Sequence, residues 1–488
     1  MPDKTAGCLC VRTCLPDRQA QTGSWKQLWM EIIMLKLTPD QVPSKRAYKP
    51  AIDLLRQVKE SAKSNGKILA IAVQRENGYV CRYDLPLPVR NECAPEVIYL
   101  SERIVKFLLW SCGGWRIMLS GPQKICQAIK KSYSPRGSRK FDYTFMSNVY
   151  GRKMVVERLP LNEIPQTHER SLMMDRRTGG GRLGFKLSEA DFKVCAVRNG
   201  RERFSAELSW DPLTHKDPDY HYNRLNDALK MAASHLRRVD AIGGSTAGVV
   251  VDNRVKVSSL FRAVDDSRYA VAQDMFVRLS DEWGVPVEVA NDGDVTALAG
   301  LISLGKKGIL GVDFGCSEAG GYVDTRGCLT GRLNELAFAP VDFYPSAAID
   351  EWSGDAGVGA MYFSQQAVNR LAVKKGMRFP AKMLLTDRLC RMQERLLEGD
   401  PAALHVFQKI GLYLGYTVPW YREFYDFNHL MALGPVTAGL GGIIIVETAR
   451  LILHDQFPEM AEEIDVFIPD NRTRKTGQAT VAASLPML

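Results

Sequence analysis

Hydrophobic positions follow two regimes along the chain, and the change falls near residue 183. Over 49–64 the apolar residues keep helical spacing, with Ala51, Leu54, Leu55 and Val58 on one face. Two apolar runs, 68–73 and 79–83, flank Glu76-Asn77-Gly78 and predict a hairpin, for which Asn-Gly is a strong local signal. A helix through 104–110, a strand at 115–119, a Gly-Pro break and a helix at 123–131 complete a small α+β module that carries no recognisable chemistry. From 183 onward short strands and helices alternate, the pattern of an α/β domain. A hairpin of 192–198 and 203–208 turns at Asn199-Gly200, followed by a helix at 226–237 and a strand at 240–244. A second hairpin turns at Asp252-Asn253-Arg254, a helix covers 269–283, and the apolar run 285–289 reads as a buried strand. A helix through Ala297, Leu298, Leu301 and Leu304 follows, with Asp292 or Asp294 as its expected cap.

The cycle then repeats. A strand at 308–314 leads into a glycine-rich turn, 315–321, and a returning strand at 322–324. Helices are expected at 361–371, 383–397 and 402–424, then a strand at 430–433, the turn 434–442 and a helix to 453. A strand at 466–468 and a helix at 477–485 close the chain. Two such units predict a duplicated, two-lobed α/β fold with a cleft between the lobes. The expected division is an unassigned leader (1–45), the α+β module (46–159), a linker (160–182), a first lobe (183–296), a second lobe (297–470) and a terminal helix (471–488) returning to the first lobe. The linker ends in Thr178-Gly179-Gly180-Gly181, which follows no strand and opens no helix, so it reads as a connector rather than a phosphate cradle.

Composition narrows the class. At 488 residues, with 45% hydrophobic and 24% charged residues, the chain is ordinary globular protein. No apolar run approaches the ~18 residues of a membrane span, and residues 1–27 lack the apolar centre of a signal peptide, so a soluble cytoplasmic protein is expected. Of eleven cysteines, Cys126, Cys195 and Cys390 sit in apolar segments and read as small hydrophobes. Cys8, Cys10 and Cys14 form a cluster that no second cluster answers, so no metal site is inferred. The net charge of +9 is uneven: residues 1–182 hold 31 Lys and Arg against 16 Asp and Glu, and the remainder 33 against 39. A basic first third suits an acidic partner, but no nucleic-acid motif accompanies it, and a solvated basic surface is the preferred reading. A homodimer is compatible with the sequence; a nucleic-acid or membrane partner is not expected.

Three features carry candidate chemistry. Asp292 stands at the carboxyl end of a strand, where open α/β sheets hold ligands, and can take a proton from a hydroxyl. The turns 315–321 and 434–442 are rich in small residues that let backbone N–H groups approach an anion. The second turn also opens a helix, whose dipole favours negative charge. A base flanked by two phosphate-compatible turns suggests phosphoryl transfer.

Residues 183–488 resemble the ROK family of sugar kinases and sugar-responsive repressors, members of the actin/hexokinase/Hsp70-type superfamily. Ala290-Asn291-Asp292-Gly293-Asp294 is similar to the family's Glu-Asn-Asp-Ala-Asn segment. The resemblance implies RNase H-like lobes, Asp292 as the base acting on a sugar hydroxyl, and Asn291 in contact with the sugar. It places Glu335 (in Asn334-Glu335-Leu336-Ala337-Phe338) and Gly248, at the end of Gly243–248, beside the same sugar. It places ATP, with Mg²⁺, on Gly315, Cys316, Ser317 and Gly320, and on Gly434, Thr437, Gly439 and Gly441. Departures are equally specific. The first phosphate motif, Asp-x-Gly-Gly-Thr, falls on Lys186-Leu187-Ser188-Glu189-Ala190, so a lysine replaces the metal-organising aspartate. Phe338 replaces a histidine that holds sugar hydroxyls, and 340–362 contains no cysteine, so no zinc is expected. The resemblance thus implies an ATP-dependent carbohydrate kinase, with a non-catalytic sugar or nucleotide sensor or a ROK-type transcriptional regulator as alternatives.

Overall fold

A computed structural model describes residues 42–62, 66–173, 179–189, 192–469 and 478–488. The Cys8, Cys10 and Cys14 cluster, Ala190 and the start of the expected terminal helix lie outside the described residues.

The amino-terminal module is built on strands β1 (Ile68–Gln74), β2 (Val80–Pro86), β3 (Arg116–Ser120) and β4 (Val155–Arg158), in the order β2-β1-β3-β4. Asn77 and Gly78 take φ of +57° and +73°, the left-handed backbone an Asn-Gly connection supplies cheaply. Helices α1 (Ala51–Ser61), α2 (Pro95–Cys112), α3 (Gln123–Ser132) and α4 (Lys140–Tyr150) cover this sheet. Sequence spacing shows only the last turns of α2 and does not show α4. The reason in α2 is that Ser101, Glu102, Arg103 and Lys106 are all buried, which erases the polar face.

Each lobe repeats one sheet plan. Strand β5 (Leu172–Met173) precedes the first-lobe strands β6 (Gly181–Leu187), β7 (Phe192–Arg198), β8 (Arg201–Leu208) and β9 (Ala241–Thr246). The hairpin β10 (Val249–Val251) and β11 (Arg254–Val257) comes next, then β12 (Val287–Asn291). The second lobe holds β13 (Ile309–Phe314), β14 (Glu318–Val323), β15 (Cys328–Leu329), β16 (His429–Leu433) and β17 (Asp465–Phe467). The sheets run β12-β9-β6-β7-β8 and β17-β16-β13-β14-β15-β5. In both, three parallel strands are followed by antiparallel ones, two in the first sheet and three in the second, the signature of a duplicated unit. Within 160–182, β5 pairs with β15 and Gly181 already opens β6, so that stretch is more than a linker.

Helices α5 (Pro218–Ala233), α6 (Met275–Trp283), α7 (Asp292–Leu304), α8 (Gln365–Lys374), α9 (Leu385–Leu397), α10 (Pro401–Arg422) and α11 (Gly439–Gln456) clothe the sheets. The first lobe has a core of its own, whereas the amino-terminal module and the second lobe share a single one. A short helix, Gln478–Ala482, lies on the first-lobe sheet. A Cβ at Gly184 or Gly243 would fall 2.0 Å from the Ala479 carbonyl oxygen or 1.8 Å from that of Ala482, so both positions require glycine. Cys126 and Cys195 are buried free thiols, as their apolar surroundings in sequence suggest. Among the described residues, no helix is long and apolar enough to cross a membrane.

Candidate active site

Strand register brings the first half of the site together. β6, β9 and β12 run parallel, with Leu187, Thr246 and Asn291 level, so Lys186, Gly248 and Asp292 converge at one carboxyl edge. Asn291 closes the strand and caps α7: its Oδ1 accepts from the Gly293 N–H at 2.8 Å. Its Nδ2 donates to the Gly248 carbonyl, also at 2.8 Å. The cap is therefore Asn291, not Asp292 or Asp294. Gly248 sits at φ +104°, and a Cβ there would meet the Val257 carbonyl oxygen at 2.3 Å.

Asp292 is half-buried at the first turn of α7. Burial raises its carboxyl above the ordinary range, while the Lys186 ammonium pulls it back down. Asp294 points elsewhere: its Oδ1 accepts from the Tyr322 N–H at 3.2 Å and from Asn334 Nδ2 at 2.8 Å. Burial, with a contribution from the Asp292 charge, pushes Asp294 up to about 7. Glu335 is likewise raised to about 7, by burial and then by Asp292 and Asp294. The sequence-expected Asp292 and Glu335 thus lie within electrostatic reach of each other. Asp294 joins them as a carboxyl the sequence assigned only to capping. Tyr425 donates to Asn334 Oδ1 at 2.9 Å and so fixes the amide that donates to Asp294. Among the described residues no group of three or more His, Cys, Asp or Glu side chains is arranged to hold a metal ion. Phe338 packs on Trp110 with ring centroids 4.4 Å apart and offers no hydrogen bond.

The other half lies at the ends of two parallel neighbours. Asp313 of β13 is level with Leu433 of β16, so the turns that follow these strands touch. Gly434 has φ +89°, and a Cβ there would lie 2.4 Å from Asp313 Oδ1. Thr437 Oγ1 donates to the Gly434 carbonyl at 3.0 Å, and Gly439, at φ +61°, opens the 18-residue α11. Gly315 is tied to Ser317 and Gln365 by backbone hydrogen bonds of 3.0 and 2.9 Å, leaving Cys316 and Ser317 exposed at the tip. Two of the expected nucleotide residues have another reason to be glycine. Gly320 is buried inside β14 rather than in the turn, and a Cβ there would lie 2.6 Å from the Asn334 carbonyl oxygen and 2.9 Å from the Leu336 side chain. Gly441 lies against Phe407, whose ring would be 2.6 Å from a Cβ.

No sequence-family model and no curated protein sequence matches the chain. Solved structures do. A ROK-family transcriptional regulator, a homologue of the E. coli MLC protein, superposes with a TM-score of 0.51 at 17% identity, over 63% of this chain and 79% of the regulator. A ROK hexokinase from Thermus thermophilus superposes with a TM-score of 0.50 at 18% identity, over 63% of this chain and 98% of the hexokinase. The chain has the ROK-type fold. That fold hosts both a regulator and an enzyme among these neighbours, so function has to be argued from the site.

Proposed function

We propose that the chain transfers a phosphoryl group from ATP to a hydroxyl of a sugar, with Asp292 as the general base. The observation that carries this reading is Asp292 at the carboxyl edge of the first-lobe sheet, level with the Asn291 cap that ties α7 to Gly248 and within electrostatic reach of Glu335. Asp292 accepts the proton of the acceptor hydroxyl as its oxygen bonds to the γ-phosphorus and ADP leaves. Glu335 accepts hydrogen bonds from the acceptor's other hydroxyls. Asn291 holds the start of α7 in place, and the Gly248 carbonyl it binds borders the acceptor. The paired turns fit a nucleotide: Gly315, Cys316 and Ser317 face the phosphates, and Gly434, Thr437 and Gly439 border the adenosine end. Mg²⁺ would supply charge neutralisation at the transferred phosphate, but Lys186 offers it no ligand and would meet a phosphate oxygen as a point charge. The test is ADP formation over a panel of hexoses and hexosamines. Asp292→Asn should lower the rate by ~10²–10⁴-fold and leave sugar-induced thermal stabilisation intact. An Asp292→Asn protein with full turnover refutes the assignment.

The Lys186 charge beside Asp292 favours a second reading, a sugar-binding sensor without turnover. This reading predicts sugar-induced stabilisation of the wild type with no ATP consumed, and ADP formation only in Lys186→Asp.

A further inference from the structure

The amino-terminal module touches both sides of the acceptor half of the cleft. On the second-lobe side, the last turn of α2 receives the segment that carries Glu335. The N–H groups of Leu333, Asn334 and Glu335 donate to the carbonyls of Cys112, Ser111 and Trp110 at 3.3, 2.9 and 2.9 Å. On the first-lobe side, α4 lies against β11. The hairpin β10–β11 divides its side chains between two cores. Val250 and Val255 face the first-lobe core, while Val249, Val251 and Val257 join the core shared by the module and the second lobe. Gly248, whose carbonyl anchors Asn291, immediately precedes that hairpin. Between the two contacts, Phe141 and Phe145, one helical turn apart on α4, reach Phe338 with ring centroids 5.8 and 6.5 Å away. Both rings are only partly buried.

We propose that α4 is the outer wall of the acceptor site and limits the length of the acceptor, with Phe145 as the specificity-determining residue. The proposal rests on the phosphotransfer reading above. Trp352, the exposed ring of this cluster, packs on Phe141, Phe145 and Phe338 at 6.0, 6.4 and 5.2 Å, so the wall is aromatic and accepts the apolar face of a single sugar ring. A second ring would have to displace α4 from β11. Contacts of this kind are worth about 10–200-fold in discrimination.

The experiment uses the full chain and two variants, Phe145→Ala and Phe145→Trp. Specificity is read as the kcat/KM ratio for each phosphorylated hexose against its disaccharide. The ratio should move about 10-fold toward the disaccharide in Phe145→Ala and toward the hexose in Phe145→Trp. Equal ratios in all three proteins overturn the proposal. Amide hydrogen exchange over 249–257 and 333–338 gives a readout that needs no turnover: Phe145→Ala should exchange faster on both segments. Unchanged exchange overturns the wall even if the chain is no kinase. Faster exchange with no ADP formed from any sugar by the wild type upholds the wall and refutes phosphotransfer instead.

Discussion

Lys186 tunes the chemistry of Asp292. The ammonium stabilises the carboxylate against the burial that raises it, so removing the charge raises the carboxyl further. A base must be ionised to act, and the rate should therefore rise with pH through the Asp292 titration. Lys186→Met should move that rise to higher pH, read from the pH profile of kcat; an unmoved midpoint would detach Lys186 from the base. A second carboxyl acts on stability instead. Glu318 is buried, accepts from the Tyr421 hydroxyl at 2.9 Å, and is pushed by burial up to about 8. Between the ordinary glutamate range and about 8 the folded chain keeps that proton while the unfolded chain loses it. The unfolded state then binds fewer protons, so stability falls as pH rises across this window, by at most ~1.4 kcal/mol per pH unit for one group. Glu318→Gln should flatten the decline, measured as urea midpoints from pH 5 to 8. Parallel declines in the two proteins would show that Glu318 is not its source.

At the level of elements, the β12–α7 junction holds the site together. Asn291 both caps α7 and ties it to Gly248, so Asn291→Ala removes two hydrogen bonds at once. It should cost about 1–2 kcal/mol in denaturant unfolding, with a loss of turnover larger than that of a cap away from the site, such as Asp400→Ala on α10. The junction was legible from sequence because an apolar run of strand length meets a polar cluster and then a helical period. The β1–β2 hairpin was legible for a comparable reason, since Asn77 and Gly78 are chosen for left-handed backbone. The cap itself was not, because Asn291, Asp292 and Asp294 are interchangeable by type and only the fold sends Asp294 to Tyr322 and Asn334. Gly320 misled in the same way: a glycine chosen for the close approach of Asn334 and Leu336 to β14 looks, in one dimension, like part of a phosphate turn. Most of α2 was hidden because its polar residues face inward, where they pair with other charges.

Those pairs decide how the molecule behaves as a whole. Asp355 of the second lobe meets Arg103, Lys106 and Arg139 of the amino-terminal module at 3.1, 3.1 and 2.7 Å. Arg103 is closed off further by Glu102, and Lys106 by Asp142, which also accepts from the Trp110 indole at 2.5 Å. Arg103 and Lys106 are essentially inaccessible to water. Truncating the one carboxylate that joins all three cations leaves buried charge short of its partner, a loss of ~3–5 kcal/mol for a buried pair. Asp355→Ala should destabilise by that order. Because the module and the second lobe share one apolar core, the damage should spread over both. Hydrogen exchange tests this: amides of α2 and of 357–363 should lose protection together, while those of β6 and β9 in the separate first-lobe core hold theirs. If α2 alone were exposed, the module would be an independent domain resting on the lobe. It could then not hold α4 firmly enough to wall the acceptor site.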